Sequence, residues 1–130
     1  MHTTLTILAV LMSFALCSCQ TSPSPSARPG VKRLVMKYSN PPTSRPWNLV
    51  TDSVQFFSEM ETLEQAAYGG DAEALRVLFV IRTYTDGAAS EGFPDMHALF
   101  VRHRIAASAI IRSDPRLREQ FGHWLSDPPK

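Results

Sequence analysis

Hydrophobic residues recur at helical spacing in the second half of the chain. Phe56, Met60, Leu63 and Ala67 stand four, three and four positions apart, so they share one face of a predicted helix. The acidic residues between them are expected to point mostly toward water. The Thr-Asp-Ser sequence at residues 51–53 offers side-chain oxygens suited to an N-cap, which predicts that the helix begins there.

A second predicted helix over residues 72–84, AEALRVLFVIRTY, is the most hydrophobic stretch of this half. Gly69 and Gly70 precede it and are expected to end the first helix, because glycine adopts the left-handed conformation without steric cost. Asp71 is the predicted N-cap of the second helix. A helix that is apolar on most sides needs several neighbours, so we expect it at the centre of the domain.

Helical spacing resumes after a break at residues 85–94, which contain Gly87, Gly92 and Pro94. The pattern predicts two apolar stripes separated by a bend near His103. The first stripe is Met96, Leu99 and Phe100, and the second is Ile105, Ala106, Ala109 and Ile110. Asp114 and Pro115 predict a capped final helix, which would bury Leu117, Phe121, Trp124 and Leu125. The pattern therefore predicts an all-α domain over residues 51–130, a small bundle of four to five helices without a sheet.

The first half of the chain follows a different pattern. Residues 5–16, LTILAVLMSFAL, are apolar and uncharged, and the run is too short to cross about 30 Å of hydrocarbon. Its length is typical of the apolar region of a signal peptide. Prolines, which exclude a long helix, recur after it: Pro23, Pro25, Pro29, Pro41, Pro42 and Pro46.

Residues 19–50 are therefore predicted to form a Pro/Ser-rich basic tether that is largely disordered. Within it, residues 31–38, VKRLVMKY, are compatible with a short strand or a clasp on the domain. Their basic side chains suit either a solvated linker or contact with anionic lipid headgroups. Trp47, near the end of the tether, is expected to pack on the domain.

The apolar run ends in Leu16, Cys17, Ser18 and Cys19. This order of an aliphatic residue, two small residues and a cysteine resembles the lipobox of bacterial lipoprotein signal peptides. The resemblance implies removal of residues 1–18, a diacylglyceryl group on the Cys19 thiol, and a mature chain without a disulfide. Gln20 stands where Asp would favour retention at the inner membrane, so the resemblance favours the periplasmic face of the outer membrane. An ordinary secretory peptide and a short uncleaved anchor are the alternatives.

Residues 63–79, LEQAAYGGDAEALRVLF, resemble one helix–turn–helix unit of an ankyrin or HEAT-like α-solenoid. No second copy follows, and solenoids need several units, so we expect a helical hairpin and not a repeat protein. More loosely, the pattern of residues 70–91 is similar to that of small exported helical proteins of bacteria. This resemblance implies no activity.

The distribution of charge along the chain indicates what kind of molecule the domain could bind. The net charge is +1, which gives no strong overall field. Arg102, Arg104 and three later arginines nevertheless make the last helices basic. They could pair with Glu59, Glu61 or Glu64 of the first helix, or contact an acidic partner. Export from the cytosol argues against nucleic acid as that partner.

Candidate catalytic and metal-binding groups are few. Asp86, Glu91 and Asp95 are three carboxylates near one loop, and paired carboxylates can carry out acid–base catalysis. Helix capping accounts for Asp86 and Asp95 without catalysis. His97 and His103 are six positions apart, which places them on different faces of a helix, unlike the histidines of a zinc site. We therefore expect no catalytic residue, metal or cofactor.

These observations predict a membrane-tethered lipoprotein whose helical domain binds another protein and is not an enzyme. Glu91, Phe93, Arg102 and Arg104 are the expected partner contacts. The alternative is an immunity or inhibitor protein directed against a toxin or a cell-envelope hydrolase, which fits the small size and the lack of catalytic groups. An enzyme that uses Glu91 and Asp95 in a cleft represents a third class.

Overall fold

A computed structural model describes residues 28–39, 49–85 and 92–130; for residues 49–53 it describes the backbone only. These residues form seven helices: α1 Pro29–Ser39, α2 Leu49–Tyr68, α3 Ala72–Arg82, α4 Met96–Arg102, α5 Arg104–Ser113, α6 Pro115–Phe121 and α7 His123–Ser126. The described ranges contain no strand, which confirms the all-α prediction. The predicted count of four to five helices is too low, because α1 lies in the predicted tether and because helical hydrogen bonding is interrupted at His103 and again at Gly122.

The central position predicted for the second helix is confirmed. α3 packs against α1, α2 and α5, and its residues from Val77 to Ile81 are all buried. The carboxylate of Asp71 accepts hydrogen bonds from the backbone N–H groups of Glu73 and Ala74, both at 3.0 Å, and so caps α3 as predicted. Gly70 has a φ of 97°, so the turn before α3 uses the left-handed conformation that glycine permits.

The apolar face predicted for α2 is confirmed, since Phe56, Met60, Leu63 and Ala67 are all buried. The predicted starting point is wrong. α2 begins at Leu49, so the Thr-Asp-Ser sequence at residues 51–53 lies inside the helix. Short polar residues favour caps but are also tolerated within a helix, so their presence alone does not mark an end.

A helix occupies part of the predicted tether. Residues Pro29–Ser39 form α1, which buries Val31, Leu34 and Tyr38 against the domain. Pro29 is the first residue of this helix, where its missing N–H costs nothing. The buried residues stand three and four positions apart, which gives α1 one apolar stripe facing α2 and α3. The strand alternative is therefore wrong, and Trp47 lies outside the described residues.

The caps predicted for the later helices are confirmed. Asp95 accepts a hydrogen bond from the backbone N–H of Ala98 at 3.1 Å and caps α4. Asp114 accepts one from the backbone N–H of Arg116 at 2.9 Å, with Pro115 at the start of α6. The predicted apolar residues of α4 are buried, as are Leu117, Phe121 and Trp124 of the last two helices.

The apolar stripe predicted for α5 is confirmed only in part: Ala106 and Ile110 are partly buried against the core, but Ile105 and Ala109 are exposed. Ala107 and Ile111 are the buried residues of this helix, whereas the side chain of Ile105 is 91% exposed. The cause is the break at His103, whose φ of −119° and ψ of 39° lie outside the helical region. α5 therefore starts with a new rotation about its axis, and Ile105 and Ala109 face outward.

One continuous hydrophobic core draws buried residues from all seven helices. Edge-to-face aromatic contacts connect α6 to the central helix α3, since the ring centres of Phe79 and Phe121 lie 5.1 Å apart. Among the residues that the structure describes, no helix is both long enough and apolar enough to span a membrane.

Candidate binding surface at the corner between α4 and α5

The chain exposes aliphatic side chains beside arginines where α4 meets α5. A shallow surface cavity of about 500 Å³ is lined here by the residues that we call the corner patch: Val101, Arg102, His103, Arg104, Ile105, Ala106 and Ala109. Ile105 is 91% exposed and Val101 is 50% exposed. Single exposed apolar residues are common in soluble domains, but neighbouring ones rimmed by polar groups mark interaction sites.

The end of α2 holds the corner in place. Arg102 donates a hydrogen bond from Nε to the backbone carbonyl of Tyr68 at 3.1 Å, and its guanidinium lies 5.7 Å from the centre of the Tyr68 ring. The Nε2 atom of His103 lies 3.2 Å from the same carbonyl oxygen. A cation is favoured at this point because the carbonyl end of a helix carries partial negative charge. Arg102 and His103 therefore connect α4 to α2.

Arg104 of the corner patch and the nearby Arg112 form no ion pair in the part of the chain that the structure describes. Arg104 is exposed, and so is Arg112, which follows Ile105 by two helical turns on the same outward face. The predicted pairing of these helices with the acidic residues of α2 is wrong. Glu59 is buried and forms its ion pair with Lys37 of α1 at 2.7 Å. α1 occupies the position beside Glu59, so the arginine charges stay available.

A second ion pair joins two residues that are close in sequence at the start of α6. Arg116 pairs with Asp114, two residues earlier, at a distance of 2.8 Å. The hydrogen bond from Arg116 lowers the pKa of the Asp114 carboxyl, against a smaller opposing effect of burial. This pair secures the start of α6, and Asp114 therefore forms its ion pair with Arg116 and not with an arginine of the corner patch.

The three predicted partner contacts that the structure describes do not line one cavity. Arg102 and Arg104 lie in the corner patch. Phe93 lines a different cavity of about 480 Å³ with His97 and Trp124. The guanidinium of Arg82 lies 5.9 Å from the centre of the Phe93 ring. Glu91 lies outside the described residues, as does Cys19, the predicted lipid attachment point.

Ile105 and Val101 are the surface residues that sequence reasoning missed, whereas Arg112 is one of the arginines that it counted on the basic last helices. It assigned Ile105 to the core because the apolar spacing of residues 105–110 does not show how far α5 is rotated after the bend at His103. No local signal gives this rotation, because it depends on how α5 packs against α3 and α6.

Within the described ranges, the groups considered for catalysis and metal binding have structural contacts. The carboxylate of Asp95 caps α4, and the ring of His97 packs edge-on against Trp124 at 4.7 Å. No three His, Cys, Asp or Glu side chains of those ranges are grouped so that they could hold a metal ion.

The corner patch therefore combines exposed aliphatic groups, arginines without an ion pair among the described residues, and a backbone fixed to α2. Such a surface can bind an apolar, negatively charged partner by shape and charge. Comparison of the chain with protein-family models, with curated proteins and with solved structures found no match.

Proposed function

We propose that this chain is a lipid-anchored protein of the bacterial cell envelope, whose helical domain binds an acidic protein partner through the corner patch. It acts by binding and carries out no reaction of its own. The observation that supports this most strongly is the 91% exposure of Ile105 next to Arg104, a cation without an ion pair among the described residues.

The composition of the outward face of α5 suits a protein partner. Burying a side chain such as Ile105 contributes about 1.5–3 kcal/mol. Ala109, one turn further along, is small and exposed, so a partner helix can approach α5 closely. Arg104 and Arg112 then meet carboxylates of the partner, which speeds association and excludes basic surfaces. Arginine is also enriched in the residues that dominate binding energy at interfaces.

The proposed location in the cell envelope is supported by the lipobox resemblance at residues 16–19. A single acyl chain binds a bilayer only marginally, so stable attachment needs at least two chains, as a diacylglyceryl group supplies. With Gln20 after Cys19, the proposal places the domain at the periplasmic face of the outer membrane.

The anchor is tested by labelling cells with an alkyne analogue of palmitate. The wild type and Cys17→Ala should both incorporate the label, because alanine keeps the small residue that a lipobox has at this position. Cys19→Ala should lose it. Labelling that persists in Cys19→Ala would show that the attachment site is elsewhere.

The binding surface is tested by placing the photo-cross-linker p-benzoylphenylalanine at position 105. The matched control is position 54, because Val54 is 85% exposed on α2. A defined adduct should form from position 105 and not from position 54. The cross-linked protein, purified, should bind the wild-type chain at least about tenfold more tightly than Ile105→Asp or Arg104→Glu.

The identity of the cross-linked partner also distinguishes a general binding protein from an immunity or inhibitor protein. A toxin or an envelope hydrolase, inhibited on binding, would make this chain an immunity or inhibitor protein. Equal cross-linking from positions 105 and 54, or unchanged affinity in both charge variants, would contradict a partner site at the corner patch.

A further inference from the structure

The outward face of α1 is positively charged. Residues Arg28 to Ser39 include four basic residues and no acidic one. Arg28, Lys32 and Arg33 are exposed, and Met36 is 70% exposed beside them. The spacing of Lys32, Arg33 and Met36 places the three side chains on one side of the helix, opposite the buried stripe. α1 is thus an amphipathic helix with a cationic outer face.

These charges are not neutralised by neighbours within the described ranges. Lys37 is the one basic residue of α1 with an ion pair there, and it binds Glu59. A shallow cavity beside the outer face is lined by Lys32, Met36, Asp71 and Glu73, together with two valines of α1. Asp71 is buried and caps α3, while Glu73 pairs with Arg76 at 3.1 Å. Neither acid forms an ion pair with Lys32.

α1 is also the described element nearest in sequence to the proposed lipid attachment point. Nine residues, 20–28, separate Cys19 from Pro29, the first residue of α1. A chain extends by at most about 3.6 Å per residue, so the start of α1 stays within about 36 Å of an acylated Cys19. The outer face of α1 can therefore reach the bilayer that holds the chain.

We infer that the outer face of α1 docks on anionic lipid headgroups, an inference that rests on the proposed membrane anchor. Lys32, Arg33 and Arg28 donate hydrogen bonds to lipid phosphates, and Met36 enters the boundary between headgroups and acyl chains. Each basic side chain near an anionic leaflet raises the affinity about fivefold. The anchor then holds the chain at the membrane, and α1 fixes the orientation of the domain on it.

The test places tryptophan on the outer face and measures quenching by brominated lipids. The full chain, expressed in a bacterial host, is reconstituted in lipid nanodiscs with brominated acyl chains. Because Trp47 and Trp124 also fluoresce, the quenching of the wild-type chain is subtracted in each lipid. Met36→Trp is then compared with Ile105→Trp, since both positions are exposed and lie on different helices. Quenching is expected for Met36→Trp in phosphatidylglycerol discs, and not for Ile105→Trp.

Two further results are expected if charge directs the docking. Quenching of Met36→Trp should be weak in phosphatidylcholine discs and should decline at 1 M salt, where the screening length falls to about 3 Å. It should also be lost in Lys32→Glu/Arg33→Glu, with unchanged far-UV circular dichroism as the folding control. Absent quenching, equal quenching in both lipids, or quenching at position 105 instead would overturn the inference.

The anchor is judged separately in the same preparation. Retention on the discs that depends on Cys19 supports the proposed anchor, and retention that is unchanged in Cys19→Ala contradicts it. Quenching at position 36 decides the docking of α1 in either case, because it reports the depth of that residue and not what holds the chain.

Discussion

Glu59 shows how one residue connects α1 to the domain. Its carboxylate accepts hydrogen bonds from Lys37 Nζ at 2.7 Å, from Gln55 Nε2 at 2.9 Å and from the hydroxyl of Tyr38. Burial by itself would raise the pKa of Glu59, but these donors outweigh it and lower the pKa. Burial, together with the hydrogen bond to Glu59, raises the pKa of Tyr38. The cluster is therefore most stable with Glu59 charged and Tyr38 neutral.

A pH dependence follows from the lowered pKa of Glu59. A carboxyl whose pKa is lower in the folded state contributes stability above its unfolded pKa, about 4.3, and loses this contribution as the pH falls through the folded value. Glu59→Gln should lower the free energy of unfolding by about 1–2 kcal/mol at pH 7. The difference from wild type should shrink toward pH 3 in urea denaturation experiments.

Glu61→Gln is the matched control, because Glu61 is exposed on the same helix and should change little at either pH. A constant difference between Glu59→Gln and wild type from pH 7 to pH 3 would argue against the charged cluster.

At the scale of the element, α1 is the helix that the composition of the chain did not predict. Its charges, its first residue Pro29 and its position beside a Ser/Pro-rich segment all indicated a linker. Yet Val31, Leu34 and Tyr38 share one stripe, and the groove between α2 and α3 gives that stripe a surface to bury against. A helix of eleven residues is marginal alone in water, so α1 depends on this packing.

Two substitutions within α1 test whether it belongs to the folded domain. Leu34 is 4% exposed and Met36 is 70% exposed. Leu34→Ala should lower the free energy of unfolding by about 2–4 kcal/mol, because it leaves a cavity in the core. Met36→Ala should stay within about 0.5 kcal/mol of wild type. Equal urea midpoints for the two variants would mean that α1 does not dock.

At the scale of the whole molecule, the core is continuous from α1 to α7. α3 lies at its centre, with α1 and α2 on one part of its surface and α5 on another. Trp124, near the end of the chain, packs against Phe79 of α3 with ring centres 6.2 Å apart. Elements far apart in sequence therefore share the same buried contacts, and we expect them to unfold together.

Cooperative unfolding can be checked with two probes. In a Trp47→Phe background, Trp124 is the remaining tryptophan and reports on the α6–α7 region, while far-UV circular dichroism reports on all helices. The two urea transitions should coincide. Leu34→Ala, at the other end of the core, should shift both midpoints equally. A transition seen by circular dichroism before the fluorescence changes would show that α1 or another helix unfolds separately.

The sequence by itself determined the features that depend on near neighbours in the chain. The turn at Gly70, the caps at Asp71, Asp95 and Asp114, and the buried face of α2 all follow from residues within about one or two helical turns. Local hydrogen bonds and backbone sterics fix them, so a single sequence is sufficient to predict them. The central place of α3 also followed, because its hydrophobicity requires neighbours on several sides.

Only the tertiary structure decided which helix face is buried after a break and which charges meet. The rotation of α5 beyond His103 turned Ile105 from a predicted core residue into the centre of the candidate binding surface. Because α1 docks beside α2, Glu59 forms its ion pair with Lys37, and Arg104 has no ion pair within the described residues. Both outcomes depend on contacts between distant elements, and spacing along the chain carries no information about which elements meet.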